Sequence, residues 1–127
     1  MIQDNVKAII ERYLEAYNAF DLASMIDLLH EEIVFRNVVN GEPNMETKGI
    51  PAFRELAEQS AALFASRNQQ ALQYRHTPDG IEVDIDYTAF LAADLPNGLK
   101  AGEQLKLNGK SVFDIRGGQI VRIEDYS

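Results

Sequence analysis

Residues 105–127 read LKLNGKSVFDIRGGQIVRIEDYS. Two runs rich in β-branched and aromatic residues flank Gly117 and Gly118, and a glycine pair supplies the positive φ that a tight hairpin turn needs. The pattern predicts two long antiparallel strands at this end of the chain. Alternation along the second strand places Val121, Ile123 and Asp125 on one face, with Arg122, Glu124 and Tyr126 on the other. A carboxylate thus follows two apolar residues on the face expected to point inward, which makes Asp125 the first candidate for chemistry.

Moving back from this hairpin, the two-residue period persists to residue 69. Residues 81–91 form a long alternating run, residues 69–76 a shorter one, and Thr77, Pro78, Asp79 and Gly80 between them read as a turn. Leu95, Pro96, Asn97 and Gly98 read as a second connection. In the middle run Ile81, Val83, Ile85 and Tyr87 share one face, while Glu82, Asp84, Asp86 and Thr88 share the other. The ordinary half-buried sheet turns the apolar face inward and leaves the acids to solvent. The opposite orientation makes an acidic pocket, with Ile85 and Tyr87 in an interface, and needs a cationic ligand or raised pKa values.

The period before residue 69 is helical. Val6, Ile9, Ile10, Tyr13, Leu14, Tyr17 and Phe20 recur at three- and four-residue spacing, which predicts an amphipathic first helix. Asp21 suits the N-cap of a short second helix carrying Leu22, Met25, Ile26, Leu28 and Leu29, and His30 falls near its C-terminal end, where a cation is favoured. Residues 33–39 read as a short strand ended by Asn40, Gly41 and Pro43, followed by a polar loop. Pro51 opens a third helix whose buried stripe is Ile50, Phe53, Leu56, Ala57, Leu63 and Phe64, and Arg67 with Asn68 closes it. Helices first and a meander of strands after them imply an α+β domain, with three N-terminal helices on one face of a mainly antiparallel sheet. Residues 1–127 read as a single domain.

Composition narrows the function classes. The chain has 127 residues, a net charge of −8 and no cysteine. Its twelve basic residues are scattered, so phosphate neutralisation has no footprint and nucleic acid is not expected as a partner. Without cysteine there is neither disulfide nor thiolate chemistry. No apolar run reaches membrane-spanning length and the N-terminal residues include acids, which together predict a cytoplasmic protein with no membrane partner. His30 and His76 are far apart in sequence, and His76 reads as a surface residue beside the turn, so no metal site is expected. No glycine-rich phosphate loop follows a strand, and no cofactor is expected.

The segment from Tyr13 to Leu22, YLEAYNAFDL, followed by Ile26, Leu28 and Phe35, resembles the opening of the nuclear transport factor two superfamily. The ending GQIVRIEDYS is similar to the terminal hairpin of its SnoaL-like polyketide cyclase branch. The resemblance implies a curved sheet wrapped over three helices, a conical pocket, and pairing as a homodimer through the outer sheet face. Laid on the steroid isomerase branch, Tyr13 falls at the catalytic tyrosine, Asn37 at the aspartate base and Ser111 at the protonated aspartic acid. An amide cannot take a proton from carbon, so the isomerase dyad is missing.

Asp125 and Tyr126 resemble the late aspartate context of the limonene epoxide hydrolases, and Phe35-Arg36-Asn37 resembles their Tyr-x-Asn. The Arg-x-Asp pair of those hydrolases is replaced here by Asp84-Ile85-Asp86. What the resemblance implies is therefore a cyclase-like or lyase-like enzyme with Asp125 as general base or acid, and Tyr13 and Asn37 as polar anchors. The pocket is expected to be lined by Tyr17, Phe35, Ser111, Phe113 and Ile123, and to take a neutral, small apolar carbonyl or cyclic compound. The rival reading is a non-catalytic binding or dimerisation module of the same fold.

Overall fold

The computed structural model describes residues 3–96 and 98–127. Its elements run α1 (Asp4–Asn18), α2 (Leu22–Asp27), β1 (Leu29–Val39), β2 (Glu42–Lys48), α3 (Ile50–Ala61), β3 (Phe64–Thr77), β4 (Gly80–Leu91), β5 (Gln104–Arg116) and β6 (Gln119–Tyr126). The strands form one sheet in the order β2-β1-β6-β5-β4-β3, in which every pair is antiparallel except β1 with β6. This is the α+β architecture expected, with one difference in order: a β-hairpin separates α2 from α3, so the helices do not all precede the strands.

The apolar stripe of α1 packs as its spacing demands. Ile9, Ile10, Tyr13, Leu14 and Ala16 are buried against Ile81, Val83, Phe113, Ile120 and Ile123 of the sheet. Each such aliphatic side chain withdrawn from water contributes about 1.5–3 kcal/mol. The C-terminal end of α1 is tied to β3 by a reciprocal pair, Asn18 Nδ2 to the Gln69 carbonyl at 3.2 Å and Gln69 N–H to Asn18 Oδ1 at 2.7 Å. Asp21 caps α2 as expected, accepting from the Ser24 N–H at 3.2 Å.

The orientation of β4 is resolved by burial. Ile81, Val83 and Ile85 face the helices, and Glu82 and Asp84 face outward in ion pairs with Arg75 and Lys110. Gly117 and Gly118 take φ of 58° and 80°, making the hairpin turn between β5 and β6.

Four expectations are corrected. The segment expected as a polar loop is β2, an edge strand exposed along nearly its whole length, so it carries no alternation to reveal it. Helix α3 ends at Ala61 rather than at Arg67 and Asn68, because residues from Phe64 onward pair with β4. His30 lies on β1, where its Nδ1 accepts from the Glu32 N–H at 3.0 Å, and not at a helix end. A register shift around Val121 turns Ile120 inward beside Ile123, so Ile120 and not Val121 shares the inner face with Ile123 and Asp125. Of the Leu95–Gly98 connection, Asn97 lies outside the described residues; the flanking Leu95 N–H donates to the Leu99 carbonyl at 2.7 Å.

Gly109 makes the end of β6 possible. A Cβ there would collide with the Tyr126 backbone carbonyl. Gly109→Ala is expected to lower stability by about 1–3 kcal/mol through this overpacking, read as a lower urea midpoint. An unchanged midpoint would mean that β5 and β6 do not approach this closely.

Candidate functional site

Registers across four strands place a row of side chains on the inner face. Val83 of β4 pairs with Ser111 of β5, Ser111 with Asp125 of β6, and Asp125 with Asn37 of β1. The neighbouring row is Ile81, Phe113, Ile123 and Phe35. Since inward-facing residues recur every second position, these two rows are adjacent on one surface. The first is polar at its centre and the second is apolar throughout.

Above the polar row lies a cavity of about 420 Å³ between the sheet, α1 and α3. Its aromatic walls include Tyr13 edge-on to Phe113 with centroids 5.8 Å apart, Phe35 edge-on to Phe53 at 6.0 Å, and Phe64 edge-on to Tyr87 at 6.2 Å. Such T-shaped pairs fix ring positions as well as burying area.

Asp125 is the carboxylate of this cavity. Its Oδ1 accepts from Ser111 Oγ at 2.7 Å, and among the described residues no donor reaches Oδ2. Burial pushes its pKa up to about 6, with the Ser111 hydrogen bond working in the other direction. Tyr13 is 5% exposed, lines the same cavity, and its hydroxyl has no hydrogen-bond partner among the described residues. Burial holds the Tyr13 phenol well above its usual range, and the charges on Asp125 and Tyr17 add to the effect while Arg67 opposes it. A tyrosine so perturbed remains a neutral donor at any working pH.

Of the residues expected at the site, the structure brings Asp125, Tyr13, Asn37, Tyr17, Phe35, Ser111 and Phe113 to the cavity wall. Ile123 is 1% exposed and sits in the core behind it, next to Asp125 on the strand. Asn37 Nδ2 donates to Asn44 Oδ1 at 3.0 Å, an interaction supplied by the unanticipated β2. Tyr17 OH and Tyr87 OH are 3.0 Å apart, and burial raises both phenols.

One wall residue was read otherwise from sequence. Arg67, expected to end a helix, sits on β3 opposite Ala89 with its side chain turned inward. Its parity with Gln69 and Ala71 on the same strand was the available signal, masked because the helical stripe runs into it. Among the described residues no three His, Cys, Asp or Glu side chains converge as metal ligands.

The six-stranded, mainly antiparallel sheet with three helices is the nuclear transport factor two-like α+β fold. The chain belongs to the SnoaL-like domain family, which matches residues 10–123. Solved structures agree in fold. A candidate polyketide cyclase from Xanthomonas campestris pv. campestris superposes with a TM-score of 0.79 at 20% identity, over 97% of this chain and 90% of that one. Another candidate polyketide cyclase, from a Silicibacter species, gives 0.76 at 24% identity over 99% and 90%. A protein of ketosteroid isomerase-like fold from Catenulispora acidiphila, solved in complex with trimethylamine, gives 0.74 at 12% identity over 94% and 84%. No curated protein matches the sequence significantly.

The raised pKa of Asp125 has a stability consequence. The unfolded chain releases this proton at the usual carboxylate pH, whereas the folded chain holds it up to about pH 6. The group therefore favours the fold below about pH 4 relative to pH 6, and that contribution is lost as pH rises between them. Asp125→Asn is expected to match wild type near pH 4 and to exceed it by about 3 kcal/mol above pH 6. Urea titrations at both pH values check this; a difference independent of pH would mean that Asp125 titrates normally.

Proposed function

We propose that this SnoaL-like protein is a cofactor-independent enzyme of isomerase, cyclase or lyase type, acting by general acid/base chemistry on an apolar carbonyl or cyclic compound. One observation carries the reading: Asp125 has one oxygen fixed by Ser111 and the other free toward an aromatic cavity, with its pKa raised to about 6. Such a carboxylate is mostly ionised at neutral pH yet basic enough to take a proton from carbon.

In the proposed step Asp125 Oδ2 removes a proton from the carbon next to the substrate carbonyl. The C–H bonding pair becomes the enolate double bond, and charge moves to the carbonyl oxygen. Tyr13, whose hydroxyl is otherwise unpartnered, donates a hydrogen bond to that oxygen. Protonated Asp125 then returns its proton to another carbon (isomerisation), to the alkoxide formed when the enolate carbon attacks a second carbonyl (cyclisation), or to the β leaving group as it departs (elimination). Asn37, next to Asp125 in the sheet and fixed by Asn44, orients the substrate. The aromatic walls exclude water and so strengthen each of these interactions. The relative solved with trimethylamine supports the capacity of the fold to hold a small organic molecule.

The reading includes a conical cavity in a single domain, and a cytoplasmic homodimer paired through the outer sheet face. Val112 is buried at the centre of that face, framed by the Lys110–Glu82 and Arg36–Glu124 pairs. Sedimentation equilibrium of wild type against Val112→Lys is expected to show a dimer converted to monomer; a wild-type monomer overturns this part.

Deuterium exchange into the α positions of 2-tetralone, followed by NMR, tests the chemistry without knowledge of the natural substrate. Wild type is expected to accelerate exchange with an acid limb near pH 6, Asp125→Asn to lose about 10²–10⁴ of the acceleration, and Tyr13→Phe to lose less. Binding without exchange would instead make the protein a ligand-binding module of this fold.

A further inference from the structure

Arg67 is a cation in the cavity wall with no anion of its own. It is 6% exposed and lines the cavity, and no carboxylate lies within 4 Å of it among the described residues. Its Nε donates to the Tyr17 carbonyl at 2.8 Å. The guanidinium carbon Cζ lies 3.7 Å from the Tyr17 ring centroid and 4.4 Å from that of Phe20. Phe20 reaches that position with φ at 58°, a left-handed conformation unfavourable for a bulky residue. A charge removed from water in this way is costly unless it is paired.

A purely structural role accounts for part of this arrangement. The Tyr17 carbonyl is at the C-terminal end of α1, where a cation complements the helix dipole. That role uses Nε alone. The two terminal amino groups have no hydrogen-bond partner among the described residues, and neither is among the fully buried unpartnered side-chain atoms, which are Thr47 Oγ1 and Arg122 Nε. The terminal amino groups of the planar guanidinium form the fork that matches a carboxylate in bidentate geometry.

We infer that Arg67 is the binding group for a carboxylate on the ligand, so that the cavity takes elongated apolar acids with the carboxylate at the end remote from Asp125. The inference rests on the proposed function in that both groups serve the same bound molecule. Register sets the remoteness: Asp125 aligns through Ser111 with Val83 of β4, whereas Arg67 aligns with Ala89, three inward-facing steps farther along that strand. Tyr87 lies on that path and, with its partner Tyr17, feels both charges, Asp125 raising and Arg67 lowering the phenol pKa. An anion placed at the Asp125 end would meet like charge, and one at the Arg67 end meets its complement. The neutral ligand anticipated from the apolar wall composition is replaced by one that is apolar along its body and charged at one terminus.

Titration calorimetry with 2-naphthoate and biphenyl-4-carboxylate, each against its neutral carboxamide, tests this. Wild type is expected to bind each acid about tenfold or more tightly than its amide. Arg67→Met is expected to abolish the preference, and Arg67→Lys to retain part of it. Asp125→Asn is expected to leave it in place, which separates this inference from the catalytic reading. Acid and amide of equal affinity in wild type, a preference that survives in folded Arg67→Met, or no binding of either acid at millimolar concentration would each overturn the assignment. The wild-type comparison stands even if Arg67→Met fails to fold. Loss of 2-tetralone exchange in Asp125→Asn together with an absent acid preference would leave the catalytic reading intact and sink this one alone.

Discussion

The parallel pairing of β1 with β6 is the constraint on which the cavity depends. It joins the β1-β2 hairpin to the antiparallel meander and thereby brings Asn37 beside Asp125. Side-chain direction in a strand has a period of two, so a one-residue slip of β6 would carry Asp125 to the outer face and expose the apolar set. The register is held by Ile33, Ile120, Ile123 and Phe113, all nearly sealed from solvent. The register shift near Val121 is part of this arrangement: it lets Ile120 reach the core while keeping Ile123 and Asp125 in step with β5.

The two faces of the sheet treat charge in opposite ways. On the outer face Glu82 lies between Arg75 and Lys110 and Asp84 is gripped by Arg75, and these partners hold both carboxyls below their usual range. On the inner face Asp125 and Arg67 have no ionic partners among the described residues, and the carboxyl moves the other way. Exposed ion pairs of the first kind contribute little to stability. Isolated charges of the second kind oppose folding, and perturbed ionisable groups of this kind cluster at functional sites in proteins generally.

Much of the fold was legible in the sequence because its signals are local. The stripe from Ile9 to Tyr17, the Asp21 cap, the Thr77–Gly80 turn and the Gly117-Gly118 hairpin each need only neighbours a few residues away. Elements defined by distant partners were not legible. The β2 strand is polar and edge-exposed, and only its pairing with β1 makes it a strand. Residues 62–68 continue the apolar spacing of α3, yet pairing of Phe64 with Leu91 and of Arg67 with Ala89 makes strand of the stretch from Phe64 onward. The missed role of Arg67 follows from that boundary, since its inward direction exists only once the strand does.

The sequence by itself determined the α+β class, the two-faced alternation of β4, and Asp125 as the carboxylate on the inner side of the last strand; which face of β4 turns inward was open until burial decided it. These follow from periodicity, which is written residue by residue in the chain. Tertiary structure alone decided that Ser111 and Asn37 flank Asp125, that the Tyr13 hydroxyl is left unpartnered in the cavity, and that an arginine lying against the Tyr17 and Phe20 rings occupies its wall. These depend on which strands meet and in what register. Hydrogen bonding and core packing between residues tens of positions apart choose that register, and no local pattern encodes it.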